Sequence, residues 1–200
     1  EIWKKGIDEE NRKNILSKFG ALLVHEQMHS LQRSFPEKFV DLNTKFWNFK
    51  QADVDSKESI TLNQVSNPDA PKAEWLIPNP EVSSEFYWVR TLLKEGVNLP
   101  QMGKDFTDQV FTVIYNEGKY TLKKGRDNKL IRTPLSDLTF YSESYPVKRG
   151  IDHPNEISAY MFSDVFKNMI SRENKSKKMN NNEIEFNKWI ELEMTSDNID

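Results

Sequence analysis

Four apolar residues, Val24, Met28, Leu31 and Phe35, recur at i, i+4, i+7 and i+11 in a stretch that ends at Pro36. Side chains at those offsets share one face of an α-helix. The spacing predicts a helix over 14–34, with Asp8 or Asn11 as its cap and the charged residues 1–13 as a lead-in. Pro36 has no amide hydrogen to give, so it ends that helix, and its fixed φ suits the first position of the next one. Phe39, Val40, Leu42, Phe46 and Trp47 then predict a second, shorter helix over 37–49. A helix with one apolar stripe is stable only when that stripe packs on something else, so the remaining chain must supply a core.

Composition says that it can. Only 36% of residues are apolar and the mean hydropathy is −0.74, but 12% are aromatic, which a disordered chain would lack. Two hundred residues suit a single domain, 1–200. Residues 50–82, punctuated by Asn67-Pro68, Ala70-Pro71 and Pro78-Asn79-Pro80, read as a long loop. Residues 86–93 fit strand or helix. Residues 109–115, with Val110, Phe111, Thr112, Val113 and Ile114, read as a strand, and the turn Asn116-Glu117-Gly118-Lys119 returns the chain through 120–123, so 109–124 reads as a β-hairpin. A short strand is expected at 138–141, a helix at 154–171, a solvated Asn/Lys-rich linker at 172–182 and a last helix at 182–194. Helices at both ends with a small, mainly antiparallel β region between them make an α+β fold.

Several function classes fall away at once. The 28 basic and 31 acidic residues leave a net charge of −3, which removes the electrostatic case for a nucleic-acid partner. No apolar run approaches the roughly 20 residues that span a bilayer. With no cysteine there is no disulfide, no thiolate metal ligand and no thiol nucleophile. The non-Met start and absent cysteines permit a secreted or extracytoplasmic mature form, but trimming explains the start as well, and the compartment is not fixed by either.

Two of the three histidines stand in His25-Glu26-Gln27-Met28-His29. On a helix, i and i+4 lie one turn apart on one face, so both imidazoles can reach one Zn2+ at about 2.0–2.1 Å. Such an ion lowers the pKa of a bound water towards about 7, and Glu26, adjacent in sequence, can accept its proton as general base. Composition alone would produce this pattern with a probability on the order of 0.5%. The bland alternative is a helix with surface or core histidines and an ordinary charged Glu26.

His25-Glu26-x-x-His29 resembles the active-site motif of the zincin metallopeptidases. The longer metzincin motif needs Gly and His soon after His29, and residues 31–36 supply neither. Asn155-Glu156, which follows Asp152-His153-Pro154, is similar to the helix from which gluzincins take a Glu as third ligand. The resemblance covers two helices. It implies one Zn2+ per chain held by His25, His29 and Glu156, and hydrolysis of peptide bonds in a peptide or protein substrate. Glu156 lies 127 residues after His29, farther than in thermolysin-like enzymes, and Tyr160 stands where those enzymes carry an acidic residue. A cleft-lining strand would come from the middle region, such as 109–124.

Other readings stay open. With His153 as N-cap and Pro154 first in the helix, Glu156 occupies the third position and could simply complete a capping box. His153 is a rival third ligand, or a donor to a developing oxyanion. Tyr141 and Tyr145 are further donors for that task, with core packing as their alternative. Asp152 or Asp164 could orient a ligand histidine. Two different functional classes compete with the hydrolase. One is a catalytically degenerate zincin-like scaffold that acts as a binding module. The other is an interaction protein that docks through Trp75, Phe86, Tyr87 and Trp88. The sequence carries no signal for oligomeric state.

Overall fold

The structure, a computed structural model, describes residues 9–55, 65, 67–69, 74–101, 103–145, 147, 150–171 and 179–194. The first helix, α1, runs Glu9–Ser34. Residues 9–13 therefore belong to the helix rather than to a lead-in, and Asn11 lies inside it instead of capping it; Asp8 lies outside the described residues. Pro36 opens α2, Pro36–Asp41, as its fixed φ allows. The expected helix over 37–49 then widens into a π-helical turn, Leu42–Phe46, and stops at Trp47. Asn48, at φ 58°, turns the chain into the sheet.

Among the described residues seven strands form one mixed sheet. These are β1 Lys50–Gln51, β2 Val54–Asp55, β3 Trp75–Pro78, β4 Glu85–Leu93, β5 Phe106–Asn116, β6 Lys119–Leu122 and β7 Arg132–Pro134. The order is β1-β3-β4-β5-β6-β2, with β7 beside the first half of β5; β2 and β6 run parallel and every other pair antiparallel. The hairpin at 109–124 is present. Its turn residues Glu117 and Gly118 both take positive φ, 50° and 83°, as a tight hairpin turn requires. The 50–82 stretch is not all loop, since β1, β2 and β3 lie within it; 56–64, 66 and 70–73 are outside the described residues.

Strand alternation divides the core in two. Val89 and Val110 look towards the helices, where Met28, Trp47, Ile157 and Trp189 join them. Trp88 and Phe111, on the opposite face, pack with Leu76 and Val113. The expected strand at 138–141 is instead the end of a 3-10 turn, Leu135–Asp137, followed by α3, Thr139–Ser144. Its aromatic residues suggested β structure, but the Tyr141 amide bonds back to the Leu138 carbonyl at 3.0 Å and its ring is buried in the helix-side core.

The helix α4, Pro154–Ser171, packs along α1. Gly20 makes the approach possible, because a Cβ there would lie 2.6 Å from Cε1 of Phe166. The last helix, α5, Asn181–Glu193, begins with a capping box: Asn180 accepts from the Glu183 amide, and Glu183 accepts from the Asn180 amide. The Asn180 side chain also donates to the carbonyls of Glu143 and Ser144, so residues 179–182 are tied to α3 and are not a solvated linker; 172–178 lie outside the described residues. The arrangement is α+β. Among the described residues no helix is long and apolar enough to cross a membrane.

Candidate metal centre

The buried face of α1 carries Ala21, His25, Met28, His29 and Gln32, and α4 lies against it. That packing brings Glu156, third residue of α4, to the two histidines. His25 Nε2 is 3.5 Å from Glu156 Oε2, His29 Nε2 is 3.5 Å from Glu156 Oε1, and the two Nε2 atoms are 3.1 Å apart. All three side chains are buried, and they form the one group of metal-ligating side chains found among the described residues. A tetrahedral ion with ligands at about 2.0–2.1 Å sets neighbouring ligand atoms roughly 3.3–3.4 Å apart, so the spacing fits zinc. Three electron-rich atoms this close repel one another unless a proton or cation lies among them.

The tautomer of His29 follows from its neighbours. Gln32, one turn on, donates from Nε2 to the Asn155 carbonyl at 2.8 Å and to Ser158 Oγ at 2.9 Å. Ser158 Oγ in turn donates to the Asn155 carbonyl. With its amide nitrogen so engaged, Gln32 presents Oε1 to His29 Nδ1 at 2.9 Å. His29 must donate from Nδ1, which leaves the Nε2 lone pair facing Glu156. Asn67 donates from Nδ2 to Glu156 Oε1 at 2.8 Å. The same loop is tied to α1 through Arg33 and Asp69, 3.0 Å apart. The Tyr160 ring lies against His25, centroids 4.3 Å apart.

Burial lifts the Glu156 carboxyl above its usual range, while the Asn67 hydrogen bond and His29 pull it back. Glu26 is exposed at the edge of the group, close enough for its charge to be felt by Glu156. Burial, with Asp108 next, pushes the Asp152 carboxyl up to about 6.

The other sequence candidates lie elsewhere. Tyr141 donates to the Ile151 carbonyl at 2.6 Å and Tyr145 to that of Trp47 at 3.4 Å. Both rings are buried and both hydroxyls are spent on backbone carbonyls, so the oxyanion-donor reading gives way to core packing for each; burial also pushes both phenols up. His153 is outside the ligand group and caps α4, its Nδ1 accepting the Asn155 amide at 3.1 Å. Asp164 is exposed and pairs with Lys167 at 2.8 Å. Trp88 is buried in the sheet, which withdraws it from a docking surface. Sequence reasoning missed Gln32 and Asn67. Gln32 had a signal, one turn after His29 on the same face; Asn67, distant in sequence, had none.

Comparisons with protein-family models, with curated proteins and with solved structures return no match.

Proposed function

We propose that the chain is a zinc-dependent hydrolase, a metallopeptidase, with His25, His29 and Glu156 holding the ion. The observation that carries this reading is the arrival of the Glu156 carboxylate 3.5 Å from both Nε2 atoms, from a different helix. When bound, the ion would supply Lewis acidity, polarising a carbonyl and acidifying a water. The chain's own residues do the rest. Gln32 keeps His29 in the tautomer that offers Nε2, and Asn67 steers Glu156. Glu26, exposed beside the group, takes a proton from water and returns it to the leaving amine.

The test has two parts. After zinc reconstitution near neutral pH, elemental analysis should give about one zinc per chain, and no bound metal would end the reading. Glu26→Gln should keep the zinc and lose hydrolysis of a mixed peptide library. One observation favours a second reading, a metal-binding scaffold without activity: Tyr160 packs on His25 where thermolysin-like sites carry a carboxylate. Zinc bound by a wild-type chain that cleaves nothing would select it.

A further inference from the structure

α1 carries a second face that the metal site does not use. Ile15, Leu16, Phe19, Leu22 and Leu23 are 36%, 57%, 64%, 54% and 68% exposed, and residues 11–16 are exposed all the way round the helix. At 100° per residue these five side chains form one stripe, and Arg12 and Glu26, both exposed, lie on its two ends. Five large apolar side chains exposed together on one helix face, rather than scattered singly, point to an interaction surface.

The stripe is symmetric about Phe19. Arg12 and Glu26 lie seven residues to either side, Ile15 and Leu23 four, Leu16 and Leu22 three. An antiparallel pairing of two such helices about a two-fold axis at Phe19 sets Phe19 against Phe19, Leu16 against Leu22 and Ile15 against Leu23. It also sets each Arg12 against the other copy's Glu26. Such a surface is complementary to itself in both shape and charge, the condition for an isologous dimer. We propose that α1 pairs with α1 of a second copy in this register, through the apolar stripe and two Arg12–Glu26 ion pairs. The patch is smaller than the roughly 800 Å2 per partner of a standard stable interface, so the dimer is weak and forms with concentration.

The association does not depend on the hydrolase reading, but its consequence does. Glu26 is the general base in that reading, and the pairing covers it and occupies its carboxylate. The dimer is then the closed form, and activity per chain falls as concentration rises.

The cysteine-free background makes the register testable. Leu16→Cys and Leu22→Cys chains, each alone, should stay uncrosslinked under mild oxidation, and a mixture of the two should form disulfide-linked dimers. In sedimentation equilibrium Phe19→Asp should raise the dimer dissociation constant at least tenfold. Arg12→Glu should weaken association and Arg12→Glu with Glu26→Arg should restore it. These positions are exposed, so folding is retained, which circular dichroism checks. A chain that stays monomeric into the high micromolar range overturns the proposal, as does a dimer indifferent to Phe19→Asp. Flotation with anionic vesicles that depends on Phe19, without self-association, would give the stripe to a lipid surface and also overturn it. Dimerisation without zinc binding would sink the hydrolase reading alone.

Discussion

Two seams hold helices to the rest of this molecule, and they differ in what they bury: one encloses a polar cluster, the other is aromatic. Between α1 and α4 lie His25, His29, Gln32, Glu156 and Ser158, all buried and all polar. Between α5 and residues 36–47 lie Phe39, Trp47, Phe186 and Trp189. Phe186 stacks between Trp47 and Trp189, at centroid distances of 5.7 and 5.8 Å, and Trp189 meets Phe39 at 5.0 Å. Both tryptophans find acceptors for their indole N–H groups, Trp189 at the Lys38 carbonyl and Trp47 at that of Asn182. The aromatic seam gains stability from every Å2 it removes from water. The polar seam must replace lost hydration with hydrogen bonds, and burial still lifts the Glu156 carboxyl above its usual range although Asn67 and His29 pull it back. The apolar packing and the candidate metal centre are thus housed in different parts of one helical layer.

The largest effect expected from this division is in the aromatic seam. Trp189→Ala should lower the unfolding free energy by about 3–5 kcal/mol in urea titrations while the folded protein keeps its zinc affinity. Zinc affinity falling in step with stability would mean that the seams are not separate. The converse substitution is Gln32→Leu. It keeps the volume near that of Gln but removes the acceptor that fixes the His29 tautomer, so zinc affinity should drop about 10–100-fold, roughly 1.4–2.7 kcal/mol. Titration calorimetry with zinc would read it, and an unchanged affinity would show that His29 is oriented by packing alone.

The seams differ as much in how far a linear sequence discloses them. His25, Glu26 and His29 were legible because a single helix fixes their relation, and the apolar spacing with Pro36 announced that helix. The 109–124 hairpin was legible from its β-branched and aromatic run at 110–115 and from the turn at Gly118. Glu156 was legible only as one of two meanings, cap or ligand. Its approach to His29 depends on Gly20 admitting Phe166, a contact between α1 and α4 that no local pattern encodes. Asn67 was illegible for the same reason. Tyr141 and Tyr145 were misjudged because proximity in sequence to α4 stood in for proximity in space; the chain between them and α4 leaves both hydroxyls in the core. Trp75–Pro78 is too short and too close to prolines to declare itself a strand, and it exists because β4 offers an edge.

Asp152 sharpens the comparison through pH. Its carboxyl ionises near 3.8 in the unfolded chain and at about 6 in the folded one, burial being the first cause. Between those values the folded state holds more protons than the unfolded state, so stability falls as pH rises through the window and is level above it. The gap corresponds to roughly 2 kcal/mol after allowing for partial exposure. In metal-free protein, Asp152→Asn should therefore be the more stable chain above pH 6 by about that amount, with a shallower decline from pH 4 to 6. Glu156 is shifted in the same direction and keeps part of the slope. Equal declines in both chains, followed by urea unfolding across the range, would remove Asp152 from the account.

The smallest effect is a difference between two glycines, one of which touches the polar seam from below. Gly150 takes φ +69°, and a Cβ there would lie 2.5 Å from Cε2 of Tyr160 and 3.0 Å from Cβ of Glu156. Gly96 has nearly the same backbone, φ +76°, with nothing within 4 Å. Gly96→Ala therefore measures the left-handed backbone cost by itself, about 1–2 kcal/mol. Gly150→Ala adds the collision, about 1 kcal/mol more, and only it should weaken zinc binding, since Tyr160 leans on His25 and Glu156 bears a ligand oxygen. The difference between the two variants isolates the steric contribution, which neither alone can do. If both lose the same stability and neither changes zinc affinity, the Tyr160 ring yields without moving the carboxylate, and the polar seam is softer at its base than its hydrogen bonds imply.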